Sequence, residues 1–177
     1  MFFIAPSVKI QRLEEFDRAA RNHPNEMNLA LRPATAADRQ FAESVYFESH
    51  RWLIERLFGW RGDDLERTRF SQSYKEEQTA IVSIEGEAAG WLSVDRAPGA
   101  ITVEQIYIAA KWRSRGIGTQ LLTSLIAEAA AAGIPLRLST AKINPAVRLY
   151  ERLGFRATDE SPHKIFMELL PGGASSS

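Results

Sequence analysis

Apolar and polar residues recur along the chain with two different periods, one typical of helices and the other typical of strands. The segment Gly116–Ala132 carries apolar side chains at helical intervals, and Gly133 is well suited to end that helix. Just before it, Ile101–Ile108 is rich in β-branched and aromatic residues, which favour strands. The sequence therefore predicts a strand, a short turn and a long amphipathic helix in the second half of the chain.

Weaker patterns on both sides of this unit predict further elements. A hairpin is expected around Glu85-Gly86-Glu87, and a helix N-cap region at Thr35–Asp38 after a strand that ends at Pro33. The other predicted helices run through Phe41–Tyr46, Trp52–Phe58, Asp63–Tyr74 and Asn144–Leu153; the other strands are Leu29–Arg32, Thr79–Ile84, Ala89–Val94, Leu136–Thr140, Phe155–Thr158 and Ile165–Leu169. This order favours the α+β or three-layer α/β class, with helices on both faces of a mixed sheet.

The ends of the chain differ from its middle. Residues 28–170 form one continuous series of elements and are interpreted as one domain, whereas residues 1–27 are expected to be a helical N-terminal extension. Met27 precedes the first strand, so an alternative is that translation starts there and residues 1–26 are not part of the native protein. The glycine- and serine-rich residues 171–177 are expected to be a disordered tail.

Composition and charge exclude several functions. The chain has 22 basic and 22 acidic residues, so no overall field draws it to nucleic acid or to an anionic membrane. It contains no cysteine, which excludes disulfides and thiolate chemistry, and its three histidines lack the spacing of a metal site, so no metal is expected. With no signal peptide and no membrane span in the sequence, we expect a cytoplasmic protein.

A basic, glycine-containing turn stands between the predicted central strand and the long helix. In it, Gly116 and Gly118 would let the backbone approach a ligand closely at the start of a helix, where N–H groups favour an anion such as a pyrophosphate. Arg113 and Arg115 would add charged contacts at the rim. The turn matches neither the P-loop nor the three-glycine dinucleotide pattern, and a simple solvated basic turn is the alternative.

Two segments together resemble a known family. Arg113-Ser114-Arg115-Gly116-Ile117-Gly118 is similar to the Arg/Gln-x-x-Gly-x-Gly/Ala signature of the GNAT superfamily of acyl-CoA-dependent N-acetyltransferases. Further along, Asn144–Phe155 resembles the family's Asn-x-x-Ala-x-x-Leu-Tyr-x-x-x-Gly-Phe block at the usual distance. The resemblance covers residues 28–170 and implies a mixed, mostly antiparallel sheet that is splayed at the fourth strand, where the pantetheine arm of acetyl-CoA enters.

The resemblance also implies a set of residues that bind acetyl-CoA. A backbone N–H near Ile108 would polarise the thioester oxygen, and Asn144 would contact the pantetheine arm, although an asparagine before a proline is also an ordinary helix cap. The expected cofactor-binding residues are Ile106, Tyr107, Ile108, Arg113, Ser114, Arg115, Gly116, Ile117, Gly118, Thr119, Asn144 and Tyr150.

Two side chains are candidates for proton transfer. Strict alternation along the strand would place Glu104 on one face with Ile106 and Ile108, and burial there would make its carboxylate a better general base, acting directly or through water. An edge glutamate paired with an arginine is the alternative. Tyr150 matches the family's tyrosine that gives a proton to the leaving thiolate or positions it; packing in the core is the alternative.

These observations predict an N-acetyltransferase that moves an acetyl group from acetyl-CoA to a primary amine of a small molecule or peptide. Since cysteine is absent, we expect direct attack in a ternary complex. The alternative is a catalytically silent acyl-CoA-binding module. The identity of the acceptor and the formation of a homodimer stay open. An amine acceptor would suit a pocket of aromatic residues with acids among them: Tyr46, Phe47, Trp52, Phe58, Trp60 and Phe70, with Glu43, Glu48, Asp63 and Asp64. An acidic acceptor would instead contact His50, Arg51 and Trp52.

Overall fold

The computed structural model describes residues 28–173, which build a seven-stranded sheet between two layers of helices. The predicted helix within residues 1–27 and residues 174–177 of the predicted tail lie outside the described part. The strands are β1 Leu29–Pro33, β2 Thr79–Ile84, β3 Glu87–Ala97, β4 Ala100–Ile108, β5 Leu136–Ala141, β6 Arg156–Glu160 and β7 Lys164–Leu169. The α-helices are α1 Arg39–Phe58, α2 Asp63–Ser73, α3 Ile117–Ala132 and α4 Val147–Arg152, with 3-10 turns at Ala36–Asp38, Glu76–Gln78 and Ala110–Trp112.

The sheet is mixed, as the sequence predicts. Its strand order is β1-β2-β3-β4-β5-β7-β6, and every neighbouring pair is antiparallel except β4 and β5. The predicted hairpin forms between β2 and β3, where Glu85 and Gly86 both take positive φ angles, as the favoured two-residue turn requires. The predicted helix end is also confirmed, because Gly133 adopts the left-handed conformation after α3.

Two predicted helix boundaries were wrong. The two helices expected at Phe41–Tyr46 and Trp52–Phe58 are one continuous helix, α1, because no glycine or proline interrupts the segment and buried side chains recur along its length. The last helix begins at Val147 instead of Asn144. Asn144 instead forms a turn in which its Oδ1 accepts the N–H of Ala146 at 3.0 Å.

Each face of the sheet covers its own apolar cluster. One cluster joins strand residues such as Val82 to α3 and α4, and the other joins the adjacent Ile81 to α1 and α2. Neighbouring residues on a strand point to opposite faces, which explains why Ile81 and Val82 are both completely buried but in different clusters. Helices therefore cover both faces of the sheet.

The start of α1 is fastened to the end of β1 by one carboxylate. The carboxylate of Asp38 accepts hydrogen bonds from both terminal nitrogens of Arg32, at 2.6 and 2.7 Å. It also accepts hydrogen bonds from the backbone N–H and the hydroxyl of Thr35, each at 2.8 Å. These donors, Arg32 above all, hold the pKa of Asp38 well below its usual range. The predicted N-cap region at Thr35–Asp38 is confirmed, and Arg32 ties it to the sheet.

Strand β4 contains a bulge that changes which of its side chains face the same way. Val103 pairs with Val94 and Gln105 pairs with Ser93, so Glu104 is the extra residue. Ile101 and Val103 consequently share a face with Ile106, although strict alternation would separate them. The prediction that Glu104 is buried among isoleucines was wrong, because the bulge leaves its side chain exposed.

Strands β4 and β5 separate just beyond the bulge. Their parallel ladder consists of three residue pairs, from Ile101 opposite Leu136 to Val103 opposite Leu138. Past that point β4 continues to pair with β3 on its other side, up to Ile108 opposite Gly90. This opening is the splay at the fourth strand that the resemblance implied.

Replacing Gly90 by alanine tests how closely β3 and β4 must approach beside this opening. A Cβ at Gly90 would overlap the backbone oxygen of Tyr107, so we expect Gly90→Ala to lower the free energy of unfolding by roughly 1–3 kcal/mol in urea denaturation. Gly99→Ala is the control, because a Cβ there meets nothing within 4 Å, and its effect should stay within about 0.5 kcal/mol. Equal stability of the two variants would contradict the close approach.

Replacing Asp38 by asparagine tests the fastening of α1 at two pH values. Because the folded pKa of Asp38 lies below the unfolded value of about 3.9, its charge stabilises the fold above that value, and the contribution is lost as the pH falls toward the folded pKa. We expect Asp38→Asn to cost about 1 kcal/mol at neutral pH, a modest value since Arg32 is half-exposed. The difference from wild type should shrink in urea denaturation near pH 3.5; a constant difference would contradict this account.

Candidate active site

The opening between β4 and β5 widens into a cleft of about 1040 Å³. Its walls come from the second half of α1, the end of β4, the turn before α3, the end of β5 and α4. Of the thirteen residues that the sequence singled out for catalysis or cofactor binding, all but Arg115 line this cleft. The twelve are Glu104, Ile106, Tyr107, Ile108, Arg113, Ser114, Gly116, Ile117, Gly118, Thr119, Asn144 and Tyr150. The fold thus gathers residues that are up to 46 positions apart, from Glu104 to Tyr150.

The glycine-containing turn has the backbone shape of an anion site. Ser114 and Gly116 both have positive φ angles, 59° and 79°, which curl the chain immediately before α3. The first internal bond of the helix runs from the N–H of Gln120 to the oxygen of Gly116, so the N–H groups of residues 117–119 carry no helical partner. These free donors lie at the positive end of the α3 dipole, where a phosphate group binds well.

The two arginines of this turn are held by other parts of the protein. Arg113 donates from Nε to the oxygen of Ile108 at 2.8 Å and from its terminal nitrogen to Ser49 Oγ at 2.9 Å. The guanidinium of Arg115 lies over the ring of Trp112, 5.1 Å from its centre, and away from the cleft wall. Anion binding at the turn therefore depends first on backbone N–H groups.

The splayed edge of β4 offers one backbone donor to the cleft. The N–H of Ala109 bonds to Ala89 on β3 at 2.9 Å, and successive N–H groups of a strand point to opposite sides. The N–H of Ile108 therefore points toward β5, which has already left the ladder. Pairing with β3 holds the backbone before this N–H, and the bond from Arg113 to the oxygen of Ile108 holds the backbone after it, so the direction of the N–H is fixed from both sides.

Tyr150 is the more enclosed of the two candidates for proton transfer. Its side chain is 6% exposed and packs edge-on to Phe155, with 6.0 Å between ring centres. Burial raises the pKa of its hydroxyl, which therefore stays protonated at neutral pH. Among the described residues this hydroxyl has no hydrogen-bond partner, and Tyr150 lines the cleft.

Asn144 is held in place by its own neighbours. Its amide nitrogen donates to Thr140 Oγ1 at 2.9 Å, while its oxygen accepts the N–H of Ala146. The helix-cap alternative is not confirmed, because the N-cap position of α4 is Ala146 and Asn144 forms a turn two residues before it. The cofactor role of Asn144 stays a prediction that its place on the cleft wall permits.

A polar group that the sequence did not connect stands on the opposite wall. The hydroxyl of Tyr107 lies 3.1 Å from Nδ1 of His50, and the His50 ring stacks on Tyr46 at 4.8 Å between centres. Burial lowers the pKa of His50 and raises that of Tyr107, so both are neutral at pH 7. The spacing of Tyr46 and His50, four residues apart on one helix, was the only sequence signal for the stacking of their rings.

The aromatic residues considered for the acceptor site separate into two groups. Trp52 and Phe58 are exposed and line the cleft, and Phe58 meets His163 edge-on at 5.1 Å across its mouth. The other four residues of that set, Tyr46, Phe47, Trp60 and Phe70, do not line the cleft, and neither do Glu43, Glu48, Asp63 and Asp64. Those acids therefore do not rim this cleft; Glu43 and Asp63 instead line a separate surface pocket with Phe47.

Residues 28–173 contain neither a helix that could span a membrane nor a cluster of metal ligands. No helix in that range is both long and apolar enough to cross a membrane. In the same range, no three histidine, aspartate or glutamate side chains come together as metal ligands would.

Comparisons with known proteins agree with this architecture. Among solved structures, the PaiA N-acetyltransferase from Thermoplasma acidophilum in complex with coenzyme A is 17% identical, with a TM-score of 0.66 over 81% of this chain and 99% of that one. The ribosomal-protein-S18-alanine N-acetyltransferase from Escherichia coli is 22% identical, with a TM-score of 0.59 over 81% and 94%. A GCN5-related N-acetyltransferase structure from Rhodopseudomonas palustris is 18% identical, with a TM-score of 0.60 over 84% and 99%.

The sequence comparisons are more specific than the structural ones. No curated protein matches the sequence. The profile of the acetyltransferase (GNAT) family matches residues 40–155, more than half of the chain and both segments on which the resemblance rested. The chain belongs to the GNAT family of acetyltransferases.

Proposed function

We propose that this protein is an N-acetyltransferase that moves the acetyl group of acetyl-CoA to a primary amine of a small molecule or peptide. The observation that carries the proposal is the convergence, on one cleft, of three groups: the N–H groups at the start of α3, the N–H of Ile108 and the protonated hydroxyl of Tyr150. The family match and the coenzyme A complex of the Thermoplasma acidophilum structure support the same reading.

The residues of the cleft fit the parts of coenzyme A. The N–H groups of residues 117–119 would take the pyrophosphate, since they face an opening with no protein acceptor among the described residues. The gap between β4 and β5 is bordered by backbone edges with free donors and acceptors, which suits the amide groups of the pantetheine arm. Acetyl-CoA when bound supplies an acetyl group activated as a thioester.

Three groups of this chain then have distinct tasks. The N–H of Ile108 donates a hydrogen bond to the acyl oxygen as negative charge develops on it. The hydroxyl of Tyr150 gives its proton to the departing sulfur, and Glu104 takes the proton that the acceptor amine releases, directly or through a water. Amine and thioester react by direct attack while both are bound, so holding them together in the cleft supplies part of the rate.

The reaction itself is tested with purified protein, acetyl-CoA and a panel of amines, by following free coenzyme A thiol. Acceptor-dependent thiol release with an acetylated product in mass spectrometry is the expected result. Tight acetyl-CoA binding with no release above buffer for any amine would instead favour the silent binding module.

Replacing Glu104 by glutamine tests the proposed proton acceptor. The side chain is exposed and lies at a bulge, so the fold tolerates the change, while its capacity to take a proton is lost. We expect kcat/KM for the amine to fall roughly 100-fold with the Kd for acetyl-CoA unchanged. Glu77→Gln is the matched control, an exposed carboxylate away from the cleft, and should act like wild type. Full activity of Glu104→Gln would remove Glu104 from the mechanism.

Replacing Tyr150 by phenylalanine tests the proposed proton donor. The variant keeps the ring that packs on Phe155 and loses only a hydroxyl without a partner in the described structure, so stability should hardly change. We expect kcat to fall roughly 100-fold in steady-state assays. Tyr74→Phe removes another buried, unpartnered hydroxyl outside the cleft and serves as the control. If both variants keep wild-type kcat, Tyr150 is a packing residue only.

A further inference from the structure

A continuous chain of three hydrogen bonds and one stacking contact runs from the protein surface to the wall of the cleft. Arg69 binds the completely buried carboxylate of Glu66 at 2.5 Å, and that carboxylate accepts the hydroxyl of Tyr46 at 3.3 Å. The ring of Tyr46 lies nearly parallel to that of His50, at 13°, and Nδ1 of His50 meets the hydroxyl of Tyr107. The imidazole of His50 is therefore held in two ways: its face stacks on Tyr46, and its Nδ1 is hydrogen-bonded to Tyr107.

The direction of the bond between Tyr107 and His50 decides which imidazole nitrogen carries the proton. The Tyr107 hydroxyl stays protonated because burial raises its pKa, and His50 Nδ1 is its one hydrogen-bonding partner in the described part of the chain. With Nδ1 as its one partner, the phenol satisfies its O–H by donating a hydrogen bond to that nitrogen, which favours the tautomer with the ring proton on Nε2. Burial lowers the pKa of His50, so the ring is neutral at pH 7.

The Nε2–H group of His50 is left for the cleft. His50 lines the cleft, and within residues 28–173 Nε2 bonds to no protein acceptor. Tyr107 directly precedes Ile108 on β4, so the pair of His50 and Tyr107 lies close to the backbone N–H proposed to bind the acyl oxygen. A partly buried donor at this place binds an oxygen acceptor more favourably than a fully exposed donor does.

We propose that His50 is a specificity residue whose Nε2–H donates a hydrogen bond to an oxygen atom that the acceptor carries next to its reactive amine. This inference rests on the proposed N-acetyltransferase function and names its substrate class as amines with a neighbouring carbonyl or carboxylate oxygen. Peptide N-termini, amino-acid amides and free amino acids share that chemistry, whereas simple alkylamines lack it. Tyr107 acts through His50 as the positioning residue that sets its tautomer.

Two substitutions of His50 separate donation from other roles. His50→Gln keeps an N–H donor close to the position of Nε2, whereas His50→Phe keeps the stacking on Tyr46 and removes the donor. The acceptors are alaninamide and isopropylamine, which differ in the carbonyl group beside the amine; free alanine and an alanyl tripeptide distinguish a carboxylate from a peptide source. Ratios of kcat/KM between two acceptors are compared across variants, so differences in intrinsic amine reactivity cancel.

We expect His50→Phe to lower kcat/KM for alaninamide roughly 10- to 100-fold and to leave that for isopropylamine near wild type. His50→Gln should restore most of the alaninamide activity. Equal losses on both acceptors would overturn the proposal, as would a glutamine variant as poor as phenylalanine, which would point to proton acceptance by His50. No transfer to any amine, with acetyl-CoA bound, would instead contradict the proposed function and the inference with it.

A measurement without turnover tests the tautomer directly. Two-bond ¹H–¹⁵N correlation spectra of the full chain should show the His50 ring protonated at Nε2, and Tyr107→Phe should shift it toward a mixture of tautomers. Tyr74→Phe removes an unpartnered hydroxyl of the same aromatic cluster that does not bond to His50, and it should leave the tautomer of His50 unchanged. A wild-type ring protonated at Nδ1 would overturn the proposal even if the kinetic variants could not be purified.

Discussion

The ladder of hydrogen bonds between β4 and β5 ends after Val103, and the rest of the site depends on that early ending. If β4 and β5 stayed paired beyond Val103, the N–H groups of β4 that point toward β5 would be hydrogen-bonded to it, and the gap would be closed. Unpaired backbone groups in a protein interior are costly, so an opening of this kind persists only where solvent or a ligand can satisfy them. The bulge at Glu104 stands just past the last pair, and α1 and α4 wall the gap that follows.

Arg113 connects the two sides of this opening. Its guanidinium joins the oxygen of Ile108 on the splayed strand to Ser49 on α1, and it lies 3.7 Å from Glu48. Glu48 in turn accepts the N–H of Ala110, just after β4. A charged residue of the turn before α3 therefore also bridges α1 and the end of β4.

The wall of the cleft that α1 forms is backed by a chain of hydrogen-bonded and stacked side chains that runs from Arg69 to His50. A fully buried carboxylate such as Glu66 is tolerated because Arg69 and Tyr46 satisfy it, and the network then orients the rings that follow. Around it, the exposed Trp52 and Phe58 give the mouth of the cleft an aromatic surface. The chemistry of the cleft thus changes from backbone donors at one end to oriented side chains at the other.

The sequence by itself determined most of the elements, the hairpin at Glu85-Gly86 and the turn before α3, since these depend on propensities and motifs within a few residues. The tertiary structure alone decided that Glu104 is exposed, because the bulge depends on how β4 registers with β3. It also decided that Tyr107 meets His50 across 57 positions of sequence. Strand register and contacts between distant side chains are set by the packing of whole elements, and no local pattern of residues encodes them.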